Sequence, residues 1–254
     1  PLPEESFQIT GAVIRGGSAR GLMYGLLEAA RQMRTDGRLS AVMGEPAVAL
    51  RGVRRVMTPS DWERDSAGWL GIFTQLAQAR FNRMHLMLDE PLTPEKISVL
   101  KRVSAEAQER AVDLAVGLFD PRVEDVITLL AECPAIRSIY VDPNAAPAVS
   151  GAVKNAGRYV VLESSEPVSP AVSVPVRIGT PPDEKSACTA PCSRYVVFPS
   201  QAEPPASLNG LAGVELQGAE SETWTVALFP VKKIAAPAKK QAPARRPAAK
   251  RKRR

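Results

Sequence analysis

The alternation of apolar and polar positions sets out most of the chain before its composition is considered. Residues 6–15 hold two short alternating runs around Thr10-Gly11, which predict a pair of strands. Gly16-Gly17-Ser18 then leads into a helical stretch from Ala19 to Arg34. There Leu22, Met23, Leu26, Leu27, Ala30 and Met33 recur at three-and-four spacing and predict the buried face, and Asp36-Gly37 ends the stretch. From about residue 47 to residue 164 strand and helix patterns alternate. Strands are expected at 50–57, 83–88, 114–119, 138–141 and 159–162. A helix from about Ser66 turns Trp69, Ile72, Phe73 and Leu76 inward. The next is capped by Thr93, carries Pro94 in its first turn, and buries Ile97, Leu100 and Val103. Asp120-Pro121 opens a third, with Asp120 as its cap, and 146–156 forms a fourth that ends at Gly157.

Strands joined through helices pair in parallel, because a parallel connection needs a crossover of a dozen or more residues. The class is therefore α/β, and both an open doubly wound sheet and a barrel fit the rhythm. Past residue 164 the helical signal fades. Segments 172–178, 195–198, 214–216 and 224–229 read as strands joined by links rich in Pro and Ser. Three parts follow: a partial α/β subdomain over 1–45, a barrel-like domain over 46–231 that degenerates after about 164, and a tail over 232–254.

The charge belongs to two different parts. The net charge is +6, yet residues 232–254 hold eleven Lys or Arg and no acid, which leaves 22 basic against 27 acidic side chains in the body. From Ile234 onward the tail is Ala, Pro, Lys and Arg, too poor in large apolar groups to offset ordering entropy, and it is expected to be disordered in isolation. Lacking aromatic residues, it suits phosphates or other polyanions without reading sequence, and Lys250, Arg251, Lys252, Arg253 and Arg254 are its densest cluster. No window approaches the length of apolar chain that spans a bilayer. The chain opens on Pro1 without a methionine, so both an exported and a cytoplasmic location stay open. Cys188 and Cys192 make a Cys-x-x-x-Cys with Cys133 apart, and with one His in the chain neither a metal site nor any cofactor is expected. A local Cys188–Cys192 disulfide and unpaired thiols both remain open. Nucleophile elbows, phosphate loops and dinucleotide fingerprints are missing.

Two stretches carry a family resemblance. Ser18-Ala19-Arg20-Gly21-Leu22-Met23-Tyr24-Gly25-Leu26-Leu27 resembles the end of the α/β domain that precedes the barrel in family 67 α-glucuronidases and family 20 β-hexosaminidases. Pro46, Leu50-Arg51-Gly52-Val53, Trp69 and Ala79-Arg80-Phe81-Asn82-Arg83-Met84-His85-Leu86 are similar to those families' entry into the barrel. The resemblance implies a TIM-type (β/α) barrel, reduced in its second half, that acts on or binds a carbohydrate. It places an Asp-Glu pair after the fourth strand, where this chain has Asp142 followed by Pro143 in place of the proton-donating Glu. Asp142 and Glu90 are the catalytic candidates. Arg51, His85 and Asp89 are the substrate-binding ones, with an inter-strand salt bridge for Arg51 and a satisfied interior position for His85 as the alternatives. Asp120, Glu163 and the pair Asp183-Glu184 are further carboxylates at strand ends. Two outcomes stay open, a hydrolase of O-glycosyl bonds and a domain that keeps only sugar binding. The alternative is a non-catalytic scaffold whose tail binds nucleic acid or another polyanion. Oligomeric state is not legible.

Overall fold

The computed structural model describes residues 1–142, 144–163, 174–178, 195–199, 203–204, 207–208, 211–218 and 222–235. The chain begins with strands β1 (Phe7–Thr10) and β2 (Val13–Gly16), then helix α1 (Ala19–Asp36) and strand β3 (Val42–Gly44). These strands are antiparallel, and a strand from the far end of the described chain, β12 (Val231–Lys233), completes the sheet in the order β12-β3-β1-β2. Lys232 and Lys233 pair with Met43 and Val42, so the expected boundary between barrel and tail at 231/232 falls inside a strand.

Helix α1 starts on Ser18, whose hydroxyl accepts from Gly21 N, and stops at Gly37, which takes the left-handed φ of 65° that glycine tolerates. Its buried face corrects the expectation. Gly21, Tyr24, Gly25, Glu28, Ala29 and Gln32 face inward, while Leu22, Leu26 and Met33 are exposed. The physical reason lies in close approach. A Cβ on Gly25 would stand 2.7 Å from Ile14 Cγ2, and one on Gly21 would overlap Ser6 O, so the helix sits on its glycine side.

The parallel strands follow: β4 (Leu50–Val56), β5 (Arg83–Met87), β6 (Asp113–Gly117), β7 (Ile136–Val141), β8 (Tyr159–Glu163), β9 (Val174–Ile178), β10 (Tyr195–Pro199) and β11 (Gly213–Gln217). Each pairs in parallel with the next, and β11 pairs back onto β4, so the sheet curls into a ring. Helices α2 (Pro59–Trp62) and α3 (Ser66–Gln78), then α4 (Pro94–Glu109), α5 (Val123–Glu132) and α6 (Ala146–Asn155), fill the first four crossovers, and α7 (Glu222–Leu228) follows β11. Alternate residues divide between two cores. Val53, Leu86, Leu114, Val116, Ile139 and Leu216 point out and pack beneath helix residues such as Trp69, Phe73, Leu100 and Leu129. Ala115, Tyr140, Val161 and Val197 point into the ring.

Two local expectations change. Segment 224–229 is mostly helix: Trp224 and Leu228 are buried four residues apart while Val226 between them is 70% exposed, a helical pattern. Asp120 does not cap α5. It adopts a φ of 40° two residues earlier, and Arg122 takes the cap position without a side-chain bond. The tail from residue 236, with Lys250–Arg254, and also Cys188, Cys192 and Asp183-Glu184, lie outside the described residues. No helix among the described residues is long and apolar enough to cross a membrane.

Candidate functional site

All eight parallel strands end on the same rim, and loops that leave a rim are free of the ladder, so side chains from different strands meet there. Between the loops after β4 and β5 this rim holds a cavity of about 480 Å³, whose polar lining includes Trp62, Glu63, Asp89, Glu90, Glu95 and Lys96. Its first wall is built by a buried carboxylate. Asp61 lies in α2 with no exposed surface and accepts from Thr58 N at 3.1 Å and Thr58 Oγ1 at 2.8 Å. It also accepts two bonds from Arg55, at 3.0 and 2.8 Å, and one from Arg64 at 3.0 Å. Burial alone would raise its pKa. The bonds from Arg55, Thr58 and Arg64 outweigh burial and hold the carboxyl well below its ordinary 3.8. This knot closes the turn and sets Trp62, the next residue, half-buried at the rim.

The second wall is the start of α4. Thr93 Oγ1 accepts from Lys96 N at 3.3 Å, and Pro94 occupies the first turn. Lys96 Nζ donates to Glu90 Oε2 at 2.6 Å and to Pro91 O at 3.1 Å, and stands 5.5 Å from the centre of the Trp62 ring. The groove therefore combines an indole, several carboxylates and one tethered ammonium.

The expected site residues among those described are spread over four places. Asp89 and Glu90 line the groove. Asp142 is exposed at the tip of β7, where its Oδ1 accepts from Asn144 N at 2.8 Å. Arg51 lies at the other end of β4, 1% exposed. It donates to Glu5, to Val48 O at 2.7 Å, to Ala49 O at 3.0 Å and to Arg80 O at 2.9 Å. Glu5 also accepts from Arg20 and from Asn82, and Arg20 reaches Asp113 at 3.2 Å, so Arg51 belongs to the join between the antiparallel sheet and the ring.

His85 points into the ring and has no exposed surface. Its Nδ1 lies 3.1 Å from Glu215 Oε2, and its ring stacks on Tyr140 at 3.6 Å between centroids. Arg54 Nε stands 3.6 Å from the same Glu215 oxygen, and Arg83 donates to Ser138 Oγ at 3.3 Å. Gly52 makes room for this cluster, since a Cβ there would stand 2.7 Å from Glu215 Cγ. Charges this deep persist only when paired and hydrogen-bonded, and these have partners around the ring.

Trp62 escaped the sequence reading. Thr58-Pro59-Ser60-Asp61 is a capping-box pattern with proline at the first helical position, and it would have placed a short helix, and so Trp62, at the strand tip. Among the described residues no group of three or more His, Cys, Asp or Glu stands together as a metal would need.

No protein family matches the chain, and no curated protein matches it. Among solved structures it is similar to CpGH84B, with a TM-score of 0.60 and 13% identity over 85% of this chain and 54% of that one. It is more loosely similar to a mutant of the Thermobaculum terrenum O-GlcNAc hydrolase, with a TM-score of 0.43 and 10% identity over 67% and 55% of the two chains. The chain thus spans about half the length of the structures it matches, and the first shows a distant glycoside-hydrolase-like fold. Neither structure singles out family 67 or family 20.

Proposed function

We propose that this chain is a reduced (β/α) barrel of glycoside-hydrolase descent that binds a carbohydrate in the groove between the β4 and β5 tips and no longer cleaves it. The observation that carries the reading is the company Trp62 keeps at an open rim. Sugars pack their C–H faces on indole, and their hydroxyls donate to carboxylates such as Asp89 and Glu90. Four carboxylates against one ammonium in the lining favour neutral saccharides over uronates. Loss of cleavage is supported by Asp142. Hydrolysis takes one group to protonate the leaving oxygen and a second to attack or to activate water, and the residue after Asp142 is a proline. Arg51 and His85 serve the framework in this reading.

Calorimetric titration with neutral oligosaccharides tests it, run beside a turnover screen of aryl glycosides. Binding is expected for the native chain, binding lost in Trp62→Ala, and no product from either. No heat across a broad panel would remove the sugar reading, and product formation would restore the hydrolase.

Charge segregation favours a second role. The eleven cations of 232–254 would hold phosphates in a salt-sensitive, sequence-independent way. Since β12 contributes to the sheet, the fair comparison is the full chain against one ending at Ala235, for retention on duplex DNA at two salt concentrations. Equal retention would exclude the arm.

A further inference from the structure

The antiparallel sheet has two edge strands, β12 and β2. Strand β2 is the edge beside α1, which lies over β1 and β2 with its backbone pressed close: a Cβ on Gly16 would overlap Leu22 N. One flank of α1 is used, since Tyr24 meets the Phe229 ring edge-on at 5.3 Å and Glu28 takes Arg80 at 2.5 Å. The opposite flank carries Leu22 at 41% exposure, Leu26 at 54% and Met33 at 51%, and β2 adds Val13 at 52%. Among the described residues the first three belong to the ten large apolar side chains left exposed and share one flank of α1, whereas Val13 points to the other side of the sheet, because its neighbour Ile14 meets Gly25 of α1. Scattered exposed apolar groups are ordinary, but a contiguous set beside a free strand edge is not.

We infer that this face is a self-association surface, on which a second copy of the chain packs across a twofold axis, β2 against β2 and α1 against α1. Two demands must be met at once. The strand edge needs another strand for its N–H and C=O groups, and the helix flank needs another apolar flank one layer above. A second copy supplies both in the right order, and a twofold closes the contact at two. An axis through Ile14 sets Val13 opposite Arg15 of the other copy on the same side of the sheet, so the arginine stem covers the valine and no like charges face each other.

The area sets the strength. Eighteen helical residues are about 27 Å long, and two layers are roughly 20 Å deep, which gives on the order of 500 Å² per copy. Stable complexes bury about 800 Å² per partner, so a weak, concentration-dependent dimer is expected rather than an obligate one.

Sedimentation velocity on the full chain from about 5 to about 300 μM in physiological salt tests this. The expected result is a concentration-dependent shift from monomer to dimer, with Leu26→Lys and Val13→Lys each weakening it at least tenfold and Ile127→Lys, an exposed apolar residue on α5, leaving it unchanged. Circular dichroism melts confirm that the lysine variants are folded. A monomer at every concentration, an open-ended polymer, or a dimer indifferent to both lysines would overturn the inference.

Discussion

Arg51 and Glu5 form a buried ion pair that ties the first strand of the ring to the segment just before β1. Every arm of the Arg51 guanidinium is used: one meets Glu5, and the others meet backbone oxygens of residues 48, 49 and 80. Asn82 completes the knot by accepting from Arg51 N at 2.9 Å and donating to Ala49 O at 2.7 Å. Removing one member of a buried pair leaves the other uncompensated, at a cost of about 3–5 kcal/mol. Arg51→Ala is expected to lose that much in urea unfolding, at the lower end because Arg20 still faces Glu5. Saccharide affinity of the folded variant should stay within twofold of native. A selective loss of affinity would return Arg51 to the sugar.

Acid should loosen the same join. Burial pushes the Glu5 carboxyl up, but Arg51 and Arg20 outweigh it and hold the pKa below 4.5; Glu28 is lowered likewise by Arg31, Gln32 and Arg80. A carboxylate with a depressed folded pKa contributes stability that is complete above its unfolded value and is lost as pH falls through the folded one. The melting temperature is therefore expected to hold from pH 7 to about 5 and to fall below about 4.5. Glu5→Gln should start lower and fall less steeply, and a parallel curve would contradict the assignment.

Much of the fold was legible because strands and crossover helices announce themselves by period, and 83–88 and 159–162 needed little correction. The α1 face was not, because close approach is governed by Gly21 and Gly25, which carry no hydrophobic signal. The motifs that suggested a glycosidase barrel also have a structural explanation. Arg51 and Asn82 hold the sheet join, and Gly52 makes room for Glu215. The groove depended on Asp61, whose partners Arg55 and Arg64 lie on either side of it and are invisible to a search for chemical motifs.

Gly52 and Gly117 provide a graded packing test. A methyl at Gly52 meets the Glu215 stem at 2.7 Å and the Arg83 backbone oxygen at 3.3 Å, inside a buried charged cluster. At Gly117 it meets Met87 Sδ at 2.5 Å and Cε at 2.8 Å, the movable end of a flexible side chain. Overpacking typically costs about 1–3 kcal/mol, so Gly52→Ala is expected near the top of that range and Gly117→Ala near the bottom. The reverse order in chemical denaturation would contradict the packing of the ring interior.

Cys133 is buried without exposed surface, and burial pushes its thiol up to about 12. Thiolate is the reactive form, so in a Cys188→Ser, Cys192→Ser background the remaining thiol should resist disulfide reagents until the chain unfolds. Labelling of the folded protein at the rate of a free thiol would contradict its placement.

The central claim concerns where a saccharide sits, and the three tryptophans separate the outcomes. Trp69 and Trp224 are fully buried, and Trp62 alone of the three stands at the rim. The decisive measurement is the movement of the three indole N–H resonances in a ¹⁵N spectrum as a neutral oligosaccharide is added. Saturable movement of the Trp62 signal, with the other two still, is what the groove predicts. A bound sugar that leaves the Trp62 signal in place would contradict it.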